Sequence, residues 1–510
     1  MGNGQNGGAD ASSLDFPSDY NLDKIFLINA LGDPLELKMG IITELNIYED
    51  INANAVTGSM HIFDANNIIS NAKLHGNERL TFKLSTPGTS GKREDTVDAT
   101  QETGYPFHIY ALTDRKILSD TTMTYTLHFC SKELLRNVRT RVSKAYNGGL
   151  AESVVSILRD KNGLNSKKDI YYEETRNADK VVIPNLRPFD AVNMISRKAL
   201  SKNAKGAGYY FYETTKGFNF RSYESMLAYQ GQHTRDEILT LSFEPKLIDT
   251  PSYRKYLNQH NIDSYEFVQH FDTLAQQAIG TYANRVITHN IYDKSYNIKD
   301  YHYHNHFSDM FHADQVGGAS KRNFAISDTP VDNDPKGYAP GDKTVSDYPH
   351  SVVSLQGSTR YLHGENTGVF GTDPDSEGLT EAIRMSQENQ VENSTMVKIV
   401  MKGHSYLQAG DVVNFQLPSL EPNKGEHNRY GLDEFYSGRY VVSQLRHRVI
   451  HGEYQMILEC IKDSVYRQYN NLPNENYSGK QPPNGSTQDI YKLDEFHMSD
   501  NASPVNPSNT

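Results

Sequence analysis

Apolar and polar residues alternate along both flanks of this chain, and the alternation gives way to helical spacing between them. Strand patterns begin at KIFLINA (Lys24 to Ala30) and continue through LELKMGIITELNIYED and VTGSMHIFDA. GNERLTFKLSTP (Gly76 to Pro87) follows, and PFHIYALTDRKILSDTTMTYTLHFCS reads as a hairpin. Together they predict an antiparallel β unit over residues 21–135, with the polar stretch 88–104 as a mobile loop. KELLRNVRTRVSKAYNGGLAESVVSILRD then has helical spacing, broken at Asn147-Gly148-Gly149, and Leu150, Val154, Val155 and Leu158 mark one apolar face. NADKVVIPNL predicts a short buried strand, and Pro188 opens a helix at the first-turn position proline favours. Residues 136–207 are thus predicted to be an α/β insert. AGYYFYETTKGFNFRSYESM (Ala207 to Met226) predicts a hairpin turning at Lys216-Gly217. It is taken as the start of a second β unit, residues 208–227, which resumes at 394–468. Residues 228–393 form a mixed insertion with a long polar loop at 314–350. The ends, 1–20 and 469–510, are rich in Gly, Asn, Ser and Pro and are predicted to be flexible; the tail holds one stickier phrase, DIYKLDEF.

The two β units resemble each other. YALTDRKILSDTTMTYTLHFCSKE and YVVSQLRHRVIHGEYQMILECIKD align without a gap, setting Tyr110 on Tyr440 and Cys130 on Cys460. Upstream, GNERLTFKLSTP aligns with GDVVNFQLPS and sets Phe82 on Phe415. Two anchors in the same order at similar spacing point to an internal duplication, although alternating strands resemble one another in any case.

Composition narrows the function. At 510 residues the chain has room for several domains. Its 63 acidic residues outnumber 51 Lys plus Arg, giving a formal charge of −12, which argues against gripping nucleic acid by its phosphates. Tyr is abundant at 33 and Trp is absent, a composition suited to wet protein–protein contacts. The two cysteines read as buried strand residues rather than a bridge. With no apolar run of membrane-spanning length and no signal-peptide core, the expectation is a soluble chain made in a cytoplasm, without a membrane anchor.

Candidate chemistry is sparse. In YHYHNHF, His302, His304 and His306 alternate, so a strand would place them on one face, where two could chelate zinc or nickel. The alternative is a Tyr/His strand at a wet surface or subunit contact, since no acidic or cysteine partner stands at ligand spacing. Neither a G-x-S-x-G elbow, an H-E-x-x-H helix, a P-loop nor a G-x-G-x-x-G turn between a strand and a helix occurs. Paired carboxylates such as Glu173-Glu174 and Asp433-Glu434 read as solvated residues, and the basic run Arg136 to Lys144 as a wet helix face or an acidic-partner contact. The sequence predicts no catalytic residues and no cofactor.

AGDVVNFQLPS followed by FYSGRYVVSQLRHRV resembles the baseplate central hub of contractile phage tails, in particular the T-even-like myophage hub of the tail-tube-like barrel family. LNIYEDINANAVTGSMHIFDANNI with GNERLTFKLSTPG resembles that family's first barrel; SVVSILRD with KVVIPNLRPFDAVNMISRKAL resembles its insert. The resemblance covers about residues 22–468. It implies an α+β, mostly β fold of two homologous tube-like antiparallel β-barrels with α/β insertions, forming a trimeric pseudo-sixfold ring. It further implies a non-enzymatic structural hub in the virion tail baseplate, assembled in the host cytoplasm. Such a hub adapts a sixfold tail tube to a trimeric central spike, transmits force on contraction and lines part of the DNA channel without binding DNA specifically. The implied partners are two more copies of the chain, a separate central spike protein, the tail tube protein and baseplate wedge proteins. A type VI-like or extracellular injection hub would share the fold, and a cell-wall-degrading enzyme is the competing class.

Overall fold

Two sets of six strands dominate the computed structural model, and the strands of both belong to one 13-stranded sheet. The first set is β1 (Ile25–Ile28), β2 (Ile42–Asp50), β3 (Thr57–Asp64), β4 (Arg79–Thr81), β5 (Phe107–Ser119) and β6 (Thr122–Cys130). The second is β7 (Leu239–Ser242), β8 (Ile262–Gln269), β9 (Thr395–Lys402), β10 (Val412–Gln416), β11 (Gly438–Ile450) and β12 (Glu453–Lys462). The structure describes residues 19–86, 96–102, 104–202, 206–228, 238–243, 260–291, 294–307, 310–313, 345–357, 378–419, 432–433 and 435–464. The arm through residue 18, loop residues 314–344, and the tail with DIYKLDEF lie outside them.

The sets repeat one topology. The first runs β2-β3-β6-β5-β4-β1 across the sheet and the second β8-β9-β12-β11-β10-β7, so each strand corresponds to the one six places later. One edge pair differs: β1 lies antiparallel to β4, whereas β7 runs parallel to β10. Among the described residues the strands form an open sheet rather than two closed barrels, and the units are neighbours within it. Inward-facing residues of both units share one core, including Leu45, Ile47, Met60, Phe82, Phe107 and Phe129 with Ile399, Phe415, Tyr440, Val442, Leu458 and Cys460. The alternation read from the sequence thus buries one face of most of these strands in a common interior, whereas β5 beyond Ile109 is exposed on both faces.

The segment between β6 and β7 packs separately. Helices Leu150–Arg159 and Pro188–Ser196 cover a sheet in which Asp169–Tyr172 pairs with the hairpin Tyr209–Thr214 and Gly217–Ser222. Phe189, Phe211, Phe218 and Phe220 fill its core, with Phe211 and Phe218 stacked at 5.7 Å. This hairpin therefore belongs with the insert rather than opening the second β unit. Both its strands are buried almost throughout, so the sequence offers no one-sided alternation to reveal its sheet. A Cβ at Gly217 would lie 2.3 Å from the Asp169 carbonyl oxygen, which is why glycine stands where the parallel neighbour approaches. The second unit begins instead with β7 and β8, inside what the sequence reads as an insertion.

Other local readings also shift. Val142–Gly149 is a strand paired with Asn177–Leu186, not a helical continuation of Lys132–Arg139. Thr96–Asp98 is a buried strand against Lys83–Ser85 within the predicted mobile loop. Between β8 and β9, Ala283–Asn290 pairs with Ser295–His302 and Val353–Gly357, and helix Leu379–Asn393 packs on that sheet over Tyr282, Val286 and Tyr301.

That helix meets the insert at a buried carboxyl. Glu224 accepts bonds from Gly206 N (3.2 Å) and Gln387 Nε2 (3.2 Å), and burial pushes its carboxyl up to about 7, with Glu173 adding to the rise. A carboxyl raised in the folded state holds its proton after the unfolded chain has lost its own. Its contribution is therefore present at low pH and lost as pH rises from about 4.5 through about 7. Denaturant midpoints measured across this window should fall with rising pH, and Glu224→Gln should flatten the slope.

Candidate functional site: the joint between the two units

The units meet strand to strand. The first half of β11 pairs with β10 of its own unit, Val413 opposite Tyr440; the second half, Gln444–Ile450, pairs antiparallel with β2 of the other unit. On the core side Leu445, His447 and Val449 lie beside Glu49, Ile47 and Leu45, all buried. On the opposite side Arg446 Nη2 and Arg448 Nε each bond Glu44 Oε1, at 2.8 and 2.9 Å; Arg446 also donates to Asn46 and lies over the Tyr48 ring. Burial works against the Glu44 charge, but Arg448 and Arg446 overrule it and hold the carboxyl below its usual range.

Buried polar ties reinforce the joint. Glu49 accepts bonds from Thr215 N (2.7 Å) in the insert and Ala409 N (2.9 Å) in the second unit, while burial pushes its carboxyl up. Lys216 Nζ, at the insert hairpin's tip, donates to the carbonyls of Thr96 (2.6 Å) and Ser405 (3.1 Å), one on each side. His447 donates or accepts at Tyr454 Oη (2.7 Å), and burial lowers its imidazole to about 3, so it stays neutral in the core. A second buried group fixes the insert to the first unit. Lys168 sits between Glu133 (3.0 Å) and Glu213, and Glu213 also accepts Val56 N at 2.9 Å. Burial disfavours the Lys168 charge, but the two carboxylates overrule it and hold the ammonium above its usual range.

Strand pairing fixes the register of the duplication. Ile42 lies opposite Ile62 and Ile262 opposite Met401, each just before a bulge in the same place. Ile62 then lies opposite Tyr125, and Met401 opposite Met456. Following these pairs, Gly58 opposite Phe129 corresponds to Val397 opposite Cys460. From the other side, Leu80 opposite Phe107 corresponds to Val413 opposite Tyr440, and Phe82 stacks on Phe107 as Phe415 meets Tyr440 edge-on, at 5.9 and 5.7 Å. Phe82 and Phe415 are thus equivalent. Tyr440 corresponds to Phe107, whereas Tyr110 is 48% exposed on the opposite face; Cys460 corresponds to Phe129, and Cys130 to Ile461. The gapless alignment slips because the first hairpin holds three register shifts and the second one. Both thiols are free and buried in separate places; burial, with Glu213 nearby, pushes Cys130 up to about 12, leaving it inert.

The histidines do not share a strand face. The strand ends at His302, whose Nδ1 meets Ser346 O at 2.7 Å, and Tyr303–His306 is a helical turn that ends the alternation. His306 stacks on Tyr301, while the His304 side chain lies outside the described residues. Nearby His312 is buried between Asp463 (2.9 Å) and the Phe307 carbonyl (2.8 Å). No group of three or more His, Cys, Asp or Glu is placed to hold a metal among the described residues. Arg136 of the basic run donates to the Leu164 and Asn165 carbonyls, at 2.6 and 3.2 Å. Sequence reasoning missed Glu44, Glu49, Lys168, Arg446 and Arg448, because their partners stand far away in the chain; the only local signal was the spacing of Arg446 and Arg448, two apart and so on one face of a strand. No helix among the described residues is long and apolar enough to cross a membrane.

No protein family and no curated protein matches the sequence. Solved structures do match the chain. One is a tail protein of Neisseria meningitidis MC58, at 10% identity and TM-score 0.45, covering 87% of this chain and 97% of that one. Another is the 43 kDa tail protein of prophage MuSo2 from Shewanella oneidensis, at 8% identity and TM-score 0.46, covering 86% and 98%. A third is an Escherichia coli component of the type VI secretion system, described as similar to T4 bacteriophage tail proteins gp27 and gp5, at 9% identity and TM-score 0.37, covering 85% and 76%.

Proposed function

We propose that this chain is a structural, non-enzymatic hub of a contractile phage tail, built to present one repeated surface twice per copy. The observation that carries the proposal is the duplicated six-strand topology held in a single sheet by the β11–β2 joint. A subunit made of two like units converts threefold assembly into six similar positions. That is the geometry required where a sixfold tube meets a trimeric spike, and it agrees with the sequence resemblance to baseplate hubs. The buried ties at the joint, Glu49 and Lys216 among them, suit a part that carries axial load without letting its halves part. The net charge of −12 suits a channel that DNA must leave freely. An injection hub of the type VI or extracellular kind would use the same ring without DNA passage.

The test is co-expression with the products of adjacent tail genes, followed by electron microscopy. A ring of this chain seated between tube and spike is the expected result. A chain that joins no such complex, or that clears peptidoglycan until one point substitution abolishes the activity, overturns the proposal.

A further inference from the structure

One helix buries its polar residues and exposes its apolar ones. In Lys132–Arg139 the buried side chains are Glu133 and Asn137, while Leu135 and Val138 are 38% and 57% exposed. The buried pair ties the helix down: Glu133 meets Lys168 at 3.0 Å, and Asn137 Oδ1 accepts Phe189 N at 2.9 Å. Leu135 and Val138 stand three apart and so share the outward side. Cations adjoin them. Lys132, Arg136 and Arg139 recur at helical spacing along the same side, and Lys167 and Arg79 approach from neighbouring elements. Burial, then Arg136, Lys167 and Arg79, hold the Lys132 ammonium below its usual range against the pull of Glu133. None of the five cations forms an ion pair among the described residues, in a chain whose net charge is −12. Such a face suits an acidic polypeptide that also carries apolar side chains, since carboxylates satisfy the guanidinium groups and apolar groups cover Leu135 and Val138.

We infer that the tail segment DIYKLDEF (Asp489 to Phe496) docks on the outward face of helix Lys132–Arg139 in the same copy, its carboxylates against the cations and its apolar side chains against Leu135 and Val138. The segment has the matching chemistry: Asp489, Asp494 and Glu495 outnumber Lys492, and Ile490, Leu493 and Phe496 stand three residues apart. Nucleic acid is the other polyanion to weigh, but phosphates would leave Leu135 and Val138 uncovered.

The sheet brings the segment within reach. β6 and β12 are separated by β11, β2 and β3, and each neighbouring pair is antiparallel, so β6 and β12 run the same way and end at the same edge. The helix follows β6 at that edge, and the tail follows β12 after Ser464. Four strand spacings amount to about 19 Å. Along the register Cys130 is level with Ile457. Ser464 is seven residues past that level and Lys132 two, a difference of about 17 Å along the strands. Residues 465–488 bridge the gap, and a polar chain of that length spans about 25–30 Å on average. The docking rests on this helix face and the shared sheet edge, independently of the hub reading.

The full chain tests it. Trypsin should cut the Lys492–Leu493 bond about tenfold faster in Arg139→Glu and in Val138→Asp than in the parent, because cleavage follows the undocked fraction. The Lys480–Gln481 bond, outside the docked segment, should be cut at the same rate in all three. Both substituted positions are exposed, and an unchanged unfolding midpoint checks that the fold is kept. V138C/F496C should form a disulfide within one chain on mild oxidation, and it decides alone if the other variants lose their fold. Equal cleavage of the Lys492–Leu493 bond in folded parent and variants, or no disulfide, overturns the docking. A disulfide that joins two chains overturns docking within one copy. If Arg139→Glu abolishes binding of a duplex DNA fragment while the Lys492–Leu493 bond is cut as in the parent, the face belongs to nucleic acid and the inference falls.

Discussion

Lys168→Met lowers the stability of the chain by about 3–5 kcal/mol, the loss that follows when one partner of a buried charge group is removed. Lys168 lies between Glu133 and Glu213, all three buried, and shares this site with the hydroxyl of Ser166, which donates to Glu133 at 2.8 Å. Burial works against the Glu133 charge, but Lys168 holds that carboxyl below its usual range. Methionine fills similar space yet leaves two carboxylates facing each other without a cation. Lowering the pH should narrow the deficit, because protonating either carboxyl removes the repulsion. Denaturant unfolding of Lys168→Met beside the parent at neutral and mildly acid pH measures both effects. A change below about 1 kcal/mol would mean that the ammonium is dispensable there.

Gly58→Val destabilises the first unit by about 2–4 kcal/mol, at or above the usual cost of overpacking. A Cβ at Gly58 would meet the Phe129 ring at 2.2 Å and the Asn46 carbonyl oxygen at 2.5 Å. The corresponding pair in the second unit is Val397 opposite Cys460, so the same place is filled there by a larger residue facing a smaller one. Gly58→Val with Phe129→Cys should therefore recover at least half of the loss. A double-mutant cycle by thermal or denaturant unfolding gives the coupling. Strictly additive losses would contradict the register that makes the two pairs equivalent.

The sequence made the strand content legible because inward positions alternate with outward ones from β2 through β6 and again from β9 through β12. The duplication was legible at Phe82 and Phe415, where a turn signal and an alternating run frame the same core contact. Its register was not, since bulges add residues without changing the alternation, so Tyr110 and Cys130 fell beside Tyr440 and Cys460 while serving other faces. β7 and β8 escaped because a long insertion separates β8 from β9. The insert hairpin was misassigned because a strand buried on both faces does not say which sheet it joins. His302, His304 and His306 suggested a strand face, but burial of Tyr301, Tyr303 and Phe307 on one side favours the helical turn. The joint was hidden for another reason: Glu44 and Arg448 are neighbours only after the whole sheet has formed.

The central claim is that two like units in each chain make six positions in a ring. The most direct test is a cryo-electron microscopy map of the assembled full chain at a resolution that traces strands. The account predicts three chains, with the units of each related by a rotation of about 60° around the common axis. A twofold dimer, or a ring in which the two units of a chain share no rotation axis with the assembly, would contradict it.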